Sequence, residues 1–100
     1  MMNDYQIFSW IFLAIALASQ KEPIDYKGIS MIADGINHSI PNEKEIRQSI
    51  IYLLNNNLIS QIGKKYTLSE KGNLLYQKAS EGKKPLLSIW EYIEIELIDK

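Results

Sequence analysis

Residues 41–72 constrain the fold of this chain more than any other part of its sequence. Asn42 and Glu45 stand three residues apart just before an apolar run, which is the capping-box signature of a helix start. The helix predicted from this signature covers about 43–56, and its apolar positions recur at the helical spacing. They are Ile46, Ile50, Leu53 and Leu54, and the outward positions are Lys44, Arg47, Gln48 and Ile51.

A β-hairpin is predicted directly after this helix, over about 58–68. Asn57 tolerates the left-handed conformation that ends many helices, so it separates the helix from the hairpin. Two short apolar runs flank Gly63-Lys64-Lys65, whose glycine suits a tight turn. Ser69 is a suitable N-cap for another helix over about 70–80. The stretch thus predicts helix, hairpin and helix in that order.

Two helices are predicted before this stretch. The first, over 4–19, is apolar nearly all the way round, as expected of a helix packed on several sides. Asp4 is its predicted N-cap or first-turn acid. Either later elements of the chain cover this helix completely, or part of it faces a second subunit. The second helix, over 26–36, is predicted to start after Asp25 as N-cap and to end at a left-handed Asn37.

A last helix is predicted over about 86–98, after the break at Lys83-Lys84-Pro85. Proline suits the first position of a helix because its missing N–H would have no partner there. The apolar residues Leu86, Ile89, Trp90, Ile93 and Leu97 share one helical face. The run 93–97 also alternates in the manner of a strand, and the helix is the preferred interpretation.

The hairpin segment resembles that of small bacterial regulators of the PadR and MarR type, in the winged helix-turn-helix superfamily. In those proteins the hairpin typically reads Leu-Ile, a Gly-Lys turn, and Tyr-x-Leu-Ser/Thr-x-x-Gly. The matching residues here are Leu58-Ile59, Gly63-Lys64-Lys65, Tyr66-Thr67-Leu68-Ser69 and Gly72. Many relatives have a glycine where this chain has Asn57. The resemblance implies a mainly α fold with a small β-hairpin: one winged helix-turn-helix domain over 1–100, with added N- and C-terminal helices. It also implies a single-residue β-bridge at Ile24.

The resemblance implies a cytoplasmic, sequence-specific DNA-binding transcriptional regulator. A helix presented by such a turn lies in the major groove and meets base edges with its first two turns. The DNA-binding residues expected from this geometry are Asn42, Lys44, Arg47, Gln48, Lys64 and Lys65. Arg47 would pair with guanine and Gln48 with adenine, while Asn42 would reach phosphate through its backbone or side chain. Lys64 and Lys65, at the tip of the wing, would contact the DNA backbone or the neighbouring minor groove.

The expected partners are double-stranded DNA and a second copy of the chain. In winged-helix regulators a terminal helix often carries the dimer contact, so a homodimer through the first or last helix is expected. Packing of these two helices on each other within one chain is the alternative. The alternative function is a winged-helix protein-interaction module that does not bind DNA.

Charge placement bears on both functions. The net charge is −1, but residues 60–84 carry six lysines against two glutamates, a local net charge of +4. Residues 91–99 carry four acids and no cation, a local net charge of −4. Glu43 and Glu45 lie on the predicted recognition helix and would repel phosphate, which counts against DNA binding.

No enzyme, cofactor or metal site is expected. The chain has one histidine, His38, and no cysteine, so it offers no two-histidine or cysteine metal motif and no thiolate nucleophile. No phosphate-binding glycine motif or nucleophile elbow occurs. The most apolar stretch, Ile7–Ala18, falls well short of the ~20 residues that span a bilayer, so no membrane segment is expected.

Overall fold

The computed structural model describes residues 2–99 as five α-helices and one two-stranded antiparallel hairpin. In chain order these are α1 (Asp4–Ala18), α2 (Tyr26–Asn37), α3 (Glu43–Asn55), β1 (Ile59–Ile62), β2 (Lys65–Leu68), α4 (Glu70–Ala79) and α5 (Leu86–Ile98). The predicted mainly helical fold with a small hairpin is confirmed. The segment that also alternated like a strand lies inside α5.

Helix α1 is the centre of the molecule. Eight consecutive residues, Ser9–Ala16, are buried. The helix packs against α2, α3 and α5, and it also touches β2 and α4. The same chain therefore covers the middle of α1 on all sides, and this part of the helix offers no surface to a second subunit. For the middle of the first helix, the alternative of packing within the chain is the one observed, while Tyr5, at its start, is exposed.

Two tryptophans tie α1 to helices distant in sequence. The Trp10 indole N–H donates to the Ala33 carbonyl oxygen of α2 at 2.9 Å. The Trp90 indole N–H, on α5, donates to Ser9 Oγ at 2.9 Å. The two indole rings stack with centroids 6.2 Å apart. Because both rings are buried and both N–H groups have acceptors, these contacts fix where α2 and α5 lie on α1.

The helix starts follow local side-chain caps, and α1 begins at Asp4 as predicted and ends at Ala18, one residue earlier than predicted. Asn3 is its N-cap and forms a reciprocal capping box with Gln6, so Asp4 takes the first-turn position. Asp25 caps α2 as predicted, accepting from the Gly28 backbone N–H at 2.9 Å. The end of α2 was predicted at a left-handed Asn37, which is wrong by one residue. Asn37 is still helical, and His38 has the left-handed conformation with φ of 54°.

The hairpin pairs β1 with β2 in a register that runs from Ile59 opposite Leu68 to Ile62 opposite Lys65. Ile24 adds a single-residue bridge to Tyr66, with backbone N–O distances of 2.8 and 2.7 Å, as predicted. Asn57 has φ of 59°, which confirms the left-handed position predicted before the hairpin.

The hairpin and α4 approach each other closely at Gly72. A Cβ atom placed on Gly72 would lie 2.0 Å from the carbonyl oxygen of Leu58. Ser69, the N-cap of α4, accepts from the Gly72 N–H and donates from its hydroxyl to the Asn57 carbonyl. These contacts set the angle at which the chain leaves the hairpin, so Gly72 is required for packing.

Candidate nucleic-acid interface

The exposed face of α3 carries the residues predicted to read bases. Lys44, Arg47 and Gln48 are all exposed and lie at positions i, i+3 and i+4, which share one side of a helix. The opposite side is buried and consists of Ile46, Ser49, Ile50 and Leu53. The burial pattern thus turns all three predicted side chains towards solvent within the first two turns of α3.

Asn42 begins α3 and uses most of its hydrogen-bonding groups to do so. Its side-chain oxygen accepts from the Glu45 backbone N–H at 2.7 Å. Its own backbone N–H donates to Glu45 Oε1 at 2.9 Å. The capping box predicted from the sequence is therefore confirmed. The backbone N–H of Asn42 is used within this cap, so of the two predicted routes to phosphate the side-chain N–H group is the one that the cap does not use.

Glu43 and Arg47 form an exposed ion pair one helical turn apart on α3. It is the one ion pair within the part of the chain that the structure describes. Glu43 therefore neutralises the cation best suited to contact guanine, while Glu45 is occupied by the helix cap. The cations Lys44 and Arg47 are balanced by these two acids, so the start of α3 carries no net charge.

The tip of the hairpin is positively charged. Lys64 lies in the turn and Lys65 forms the last pair of the ladder, and both are exposed. Gly63 has φ of 63°, and its carbonyl accepts from the side chain of Gln61 at 3.0 Å. This turn holds the two lysines at the end of a short, twisted ribbon, where their charge projects away from the core.

A short connection positions the hairpin relative to α3. The Leu58 N–H donates to the Leu53 carbonyl oxygen at 2.9 Å, and β1 packs against α3. Before α3, the five residues 38–42 separate it from α2, with Pro41 buried and Ile40 71% exposed. The arrangement places helix, turn, helix and hairpin in succession around α1.

Exposed apolar residues accompany these cations. Ile40 in the turn, Met31 on α2, Ile51 on α3 and Ile62 on β1 are all exposed. Ile51 was predicted to point outward, but Met31 and Ile40 were not recognised. In the sequence, the exposure of Met31 is indicated by its position off the apolar stripe of α2. For Ile40 it was the extended backbone before Pro41, which removes the residue from both helices.

The charge of this surface at neutral pH comes from its lysines, its arginine and its carboxylates. Burial raises the pKa of the Tyr52 phenol, with a smaller contribution from the nearby Tyr5. Burial likewise raises the pKa of Tyr66, and Tyr26 adds to the effect. Both phenols therefore stay neutral at pH 7, because an ordinary tyrosine already titrates near pH 10.

No protein-family model, no curated protein and no solved structure matches this chain. Between residues 2 and 99, no helix has the length and apolar character needed to cross a membrane. The same residues contain no group of three histidines or carboxylates placed to hold a metal ion.

Proposed function

We propose that this chain is a DNA-binding transcriptional regulator of the winged helix-turn-helix class. In this assignment α2 and α3 are the helix-turn-helix, α3 is the recognition helix and β1–β2 is the wing. The order of elements supports it, as does the Ile24–Tyr66 bridge, which adds the short third strand expected of that fold. The protein would act in the cytoplasm as a homodimer on a two-fold-related site, without a cofactor or a chemical step.

One observation carries the proposal: the exposed face of α3 presents Lys44, Arg47 and Gln48 within its first two turns. A recognition helix meets base edges with these turns. Arg47 suits the two acceptors of guanine, and Gln48 suits the donor and acceptor of adenine. Lys64 and Lys65 at the wing tip suit phosphate contacts, which supply affinity that does not depend on sequence.

The Glu43–Arg47 ion pair is compatible with this role. Both side chains are exposed, and exposed ion pairs typically contribute at most about 1 kcal/mol. A good bidentate contact between arginine and guanine discriminates by about 1–3 kcal/mol. Arg47 can therefore leave Glu43 for a correct base at little cost, whereas an incorrect base leaves the ion pair intact.

The proposal is tested by fluorescence anisotropy with random-sequence duplex DNA at about 50 and 200 mM salt. The wild type is compared with a Lys64→Ala/Lys65→Ala variant. If both lysines neutralise phosphates, the slope of log affinity against log salt should become shallower by about two in this variant.

The matched control is Lys83→Ala/Lys84→Ala, which removes two adjacent lysines from the loop between α4 and α5. Its salt slope should equal that of the wild type. The absence of wild-type binding at the lower salt concentration would contradict the proposal. An equal loss of slope in both variants would contradict the assignment of the wing.

A second candidate function, protein binding, is favoured by the exposure of Ile51 on the same side of α3 and of Met31 and Ile40 on α2 and the turn. Apolar side chains of this size gain more from a protein partner than from a phosphate backbone. A photo-crosslinking amino acid at position 51, introduced in the cells that make the protein, separates the two functions. Adducts to DNA support the regulator, and adducts to one protein support the interaction module.

A further inference from the structure

A cavity lies where the end of α1, strand β2 and one side of α4 meet. Its volume is about 310 Å³, which equals the volume of about ten water molecules in the liquid. Ala16 and Ser19 line it from α1, and Thr67 and Leu68 line it from β2. Ala16 and Ser19 are buried, whereas Thr67 and Leu68 are half-buried. We call it the α1–α4 cavity.

One side of α4 completes the cavity with three uncharged polar residues. Asn73, Tyr76 and Gln77 stand at positions i, i+3 and i+4, so they share this side of the helix. The Tyr76 side chain is half-buried and packs against the core, which holds its ring in place as part of the wall. Asn73 and Gln77 are exposed, as is Gln20 just after α1. The amide side chains therefore surround the opening of the cavity, above a buried floor.

The lining of the cavity is uncharged although the surrounding segment is the most basic of the chain. Residues 60–84 carry six lysines and two glutamates, and none of these is among the described residues that line the cavity. Lys71 and Lys78 lie on another side of α4, along a groove between α4 and α5. The last turn of α1 contains no basic residue, so its terminal carbonyl groups give the cavity a weakly negative potential. An anionic ligand would find no counter-charge here.

Polar groups around the cavity are free to bind a ligand. The side chains of Thr67, Asn73 and Gln77 form no hydrogen bond with any residue between 2 and 99. By contrast, Ser69 and Ser80, at the two ends of α4, both donate to backbone carbonyl oxygens. Each of the two amides offers donors and an acceptor, and the threonine hydroxyl offers both. The three groups can therefore exchange bound water for a ligand that both donates and accepts.

We propose that the α1–α4 cavity binds one neutral monosaccharide. The hydroxyl groups of a sugar both donate and accept, which matches the side chains of Asn73, Gln77 and Thr67. The C–H face of a sugar ring is apolar and suits the Tyr76 ring and Leu68. The volume admits one sugar ring and lies near the lower end of the range for small-ligand pockets. The uncharged lining selects against sugar acids and sugar phosphates, because their charge would lose water without gaining a partner.

This site goes beyond the proposed function and does not depend on it. None of the six residues predicted to contact DNA lines the cavity. Sugar binding and DNA binding can therefore each fail while the other stands.

The test is a titration of the isotope-labelled full chain, followed by two-dimensional amide NMR spectra. Glucose, galactose and mannose are each added to about 50 mM, because a ligand of about twelve non-hydrogen atoms is expected to dissociate in the millimolar range. At least one of them should give saturable shifts of the amide signals of Thr67, Asn73 and Tyr76 and leave the signals of α3 unchanged. Glucuronate, which carries a carboxylate on the same ring, should bind at least about tenfold more weakly.

Two variants locate the bound sugar. Asn73→Ala removes an amide from α4, and Thr67→Val removes a hydroxyl from β2 with little change of shape. Each should weaken binding of the sugar by roughly tenfold. Asn55→Ala is the matched control, because Asn55 is also an exposed helical asparagine but belongs to α3, and this variant should bind like the wild type. The amide spectrum of each variant also shows whether it is folded, so lost binding is not confused with lost structure.

Four results would each overturn the proposal. They are the absence of saturable shifts with all three neutral sugars, shifts confined to residues outside the cavity, glucuronate binding as tight as that of the neutral sugar, and an Asn73 variant that binds like the wild type.

Discussion

Gly72 and Gly35 are both helical glycines, but their surroundings differ completely. A methyl group on Gly72 would meet the Leu58 carbonyl oxygen at 2.0 Å, whereas one on Gly35 would meet nothing within 4 Å. Gly72→Ala should therefore destabilise the protein by more than about 2 kcal/mol, because the hairpin must move away from α4. Gly35→Ala should stabilise it by about 0.5–1 kcal/mol, because alanine is the better helix former.

Urea denaturation of both variants measures these effects, and each serves as the control for the other. Equal changes in the free energy of unfolding would show that the contact at Leu58 does not decide the outcome.

The Glu43–Arg47 pair gives a prediction about DNA affinity. If α3 lies on DNA as proposed, Glu43→Gln removes an acid beside the phosphates and releases Arg47, so affinity for random-sequence DNA should rise, by roughly a few-fold. Arg47→Ala should lower affinity for the specific site by about 1–3 kcal/mol and relax specificity at one base pair. Glu22→Gln is the control, because it removes one negative charge from the segment between α1 and α2. DNA binding by each variant is measured by fluorescence anisotropy. Weaker binding by the Glu43 variant would contradict this assignment.

Single residues were predictable where their role depends on near neighbours in sequence. Asp25, the Asn42–Glu45 box and the left-handed Asn57 were all identified because a cap or a turn involves only a few adjacent residues. The error at the end of α2 is a shift of one position, from Asn37 to His38. The steric role of Gly72 was not predictable, since the Leu58 carbonyl is brought to it by tertiary packing.

At the scale of the element, the cap of α3 links stability to the proposed DNA contact. Asn42→Ala removes the side-chain acceptor of the capping box and should cost about 1 kcal/mol of stability. The first turn would then fray, and this turn carries Lys44. Asn42→Ser keeps a capping oxygen, so it should retain the stability of the wild type. Guanidinium denaturation compares the three proteins.

The same variants separate the capping role of Asn42 from a DNA contact. If the side-chain N–H group touches phosphate, Asn42→Ser should bind DNA more weakly than the wild type at equal stability. If Asn42→Ser binds as well as the wild type, Asn42 acts only through the helix cap.

Helices α1 and α5 mark the limit of what an apolar pattern predicts. Both were recognised as helices, and both have more apolar residues than one buried face requires. The pattern does not say whether the same chain or another covers the excess. The structure resolves this differently for each helix, because α1 lies between α2, α3 and α5, whereas α5 packs on its partners through one side only. Leu87, Ile95 and Ile98 remain exposed for that reason.

At the scale of the whole molecule, charge is distributed by segment. The net charge of −1 conceals a basic region from the hairpin to the loop after α4, and an acidic α5. The sequence was sufficient to predict this division. Which charges face a common groove could not be predicted, because that depends on how α4 and α5 are placed beside each other.

The central position of α1 has a consequence for biosynthesis. The Trp90 indole N–H reaches acceptors on Ser9 and Gln6 that are 81 and 84 positions earlier in the chain. A ribosome therefore releases α1 long before it has made the helix that completes its burial. During that interval the side of α1 that α5 covers remains exposed, and nascent apolar segments of this kind are bound by chaperones or aggregate. A product that stops before α5 leaves α1 open to proteases, so translation to the end of α5 is what protects the first helix.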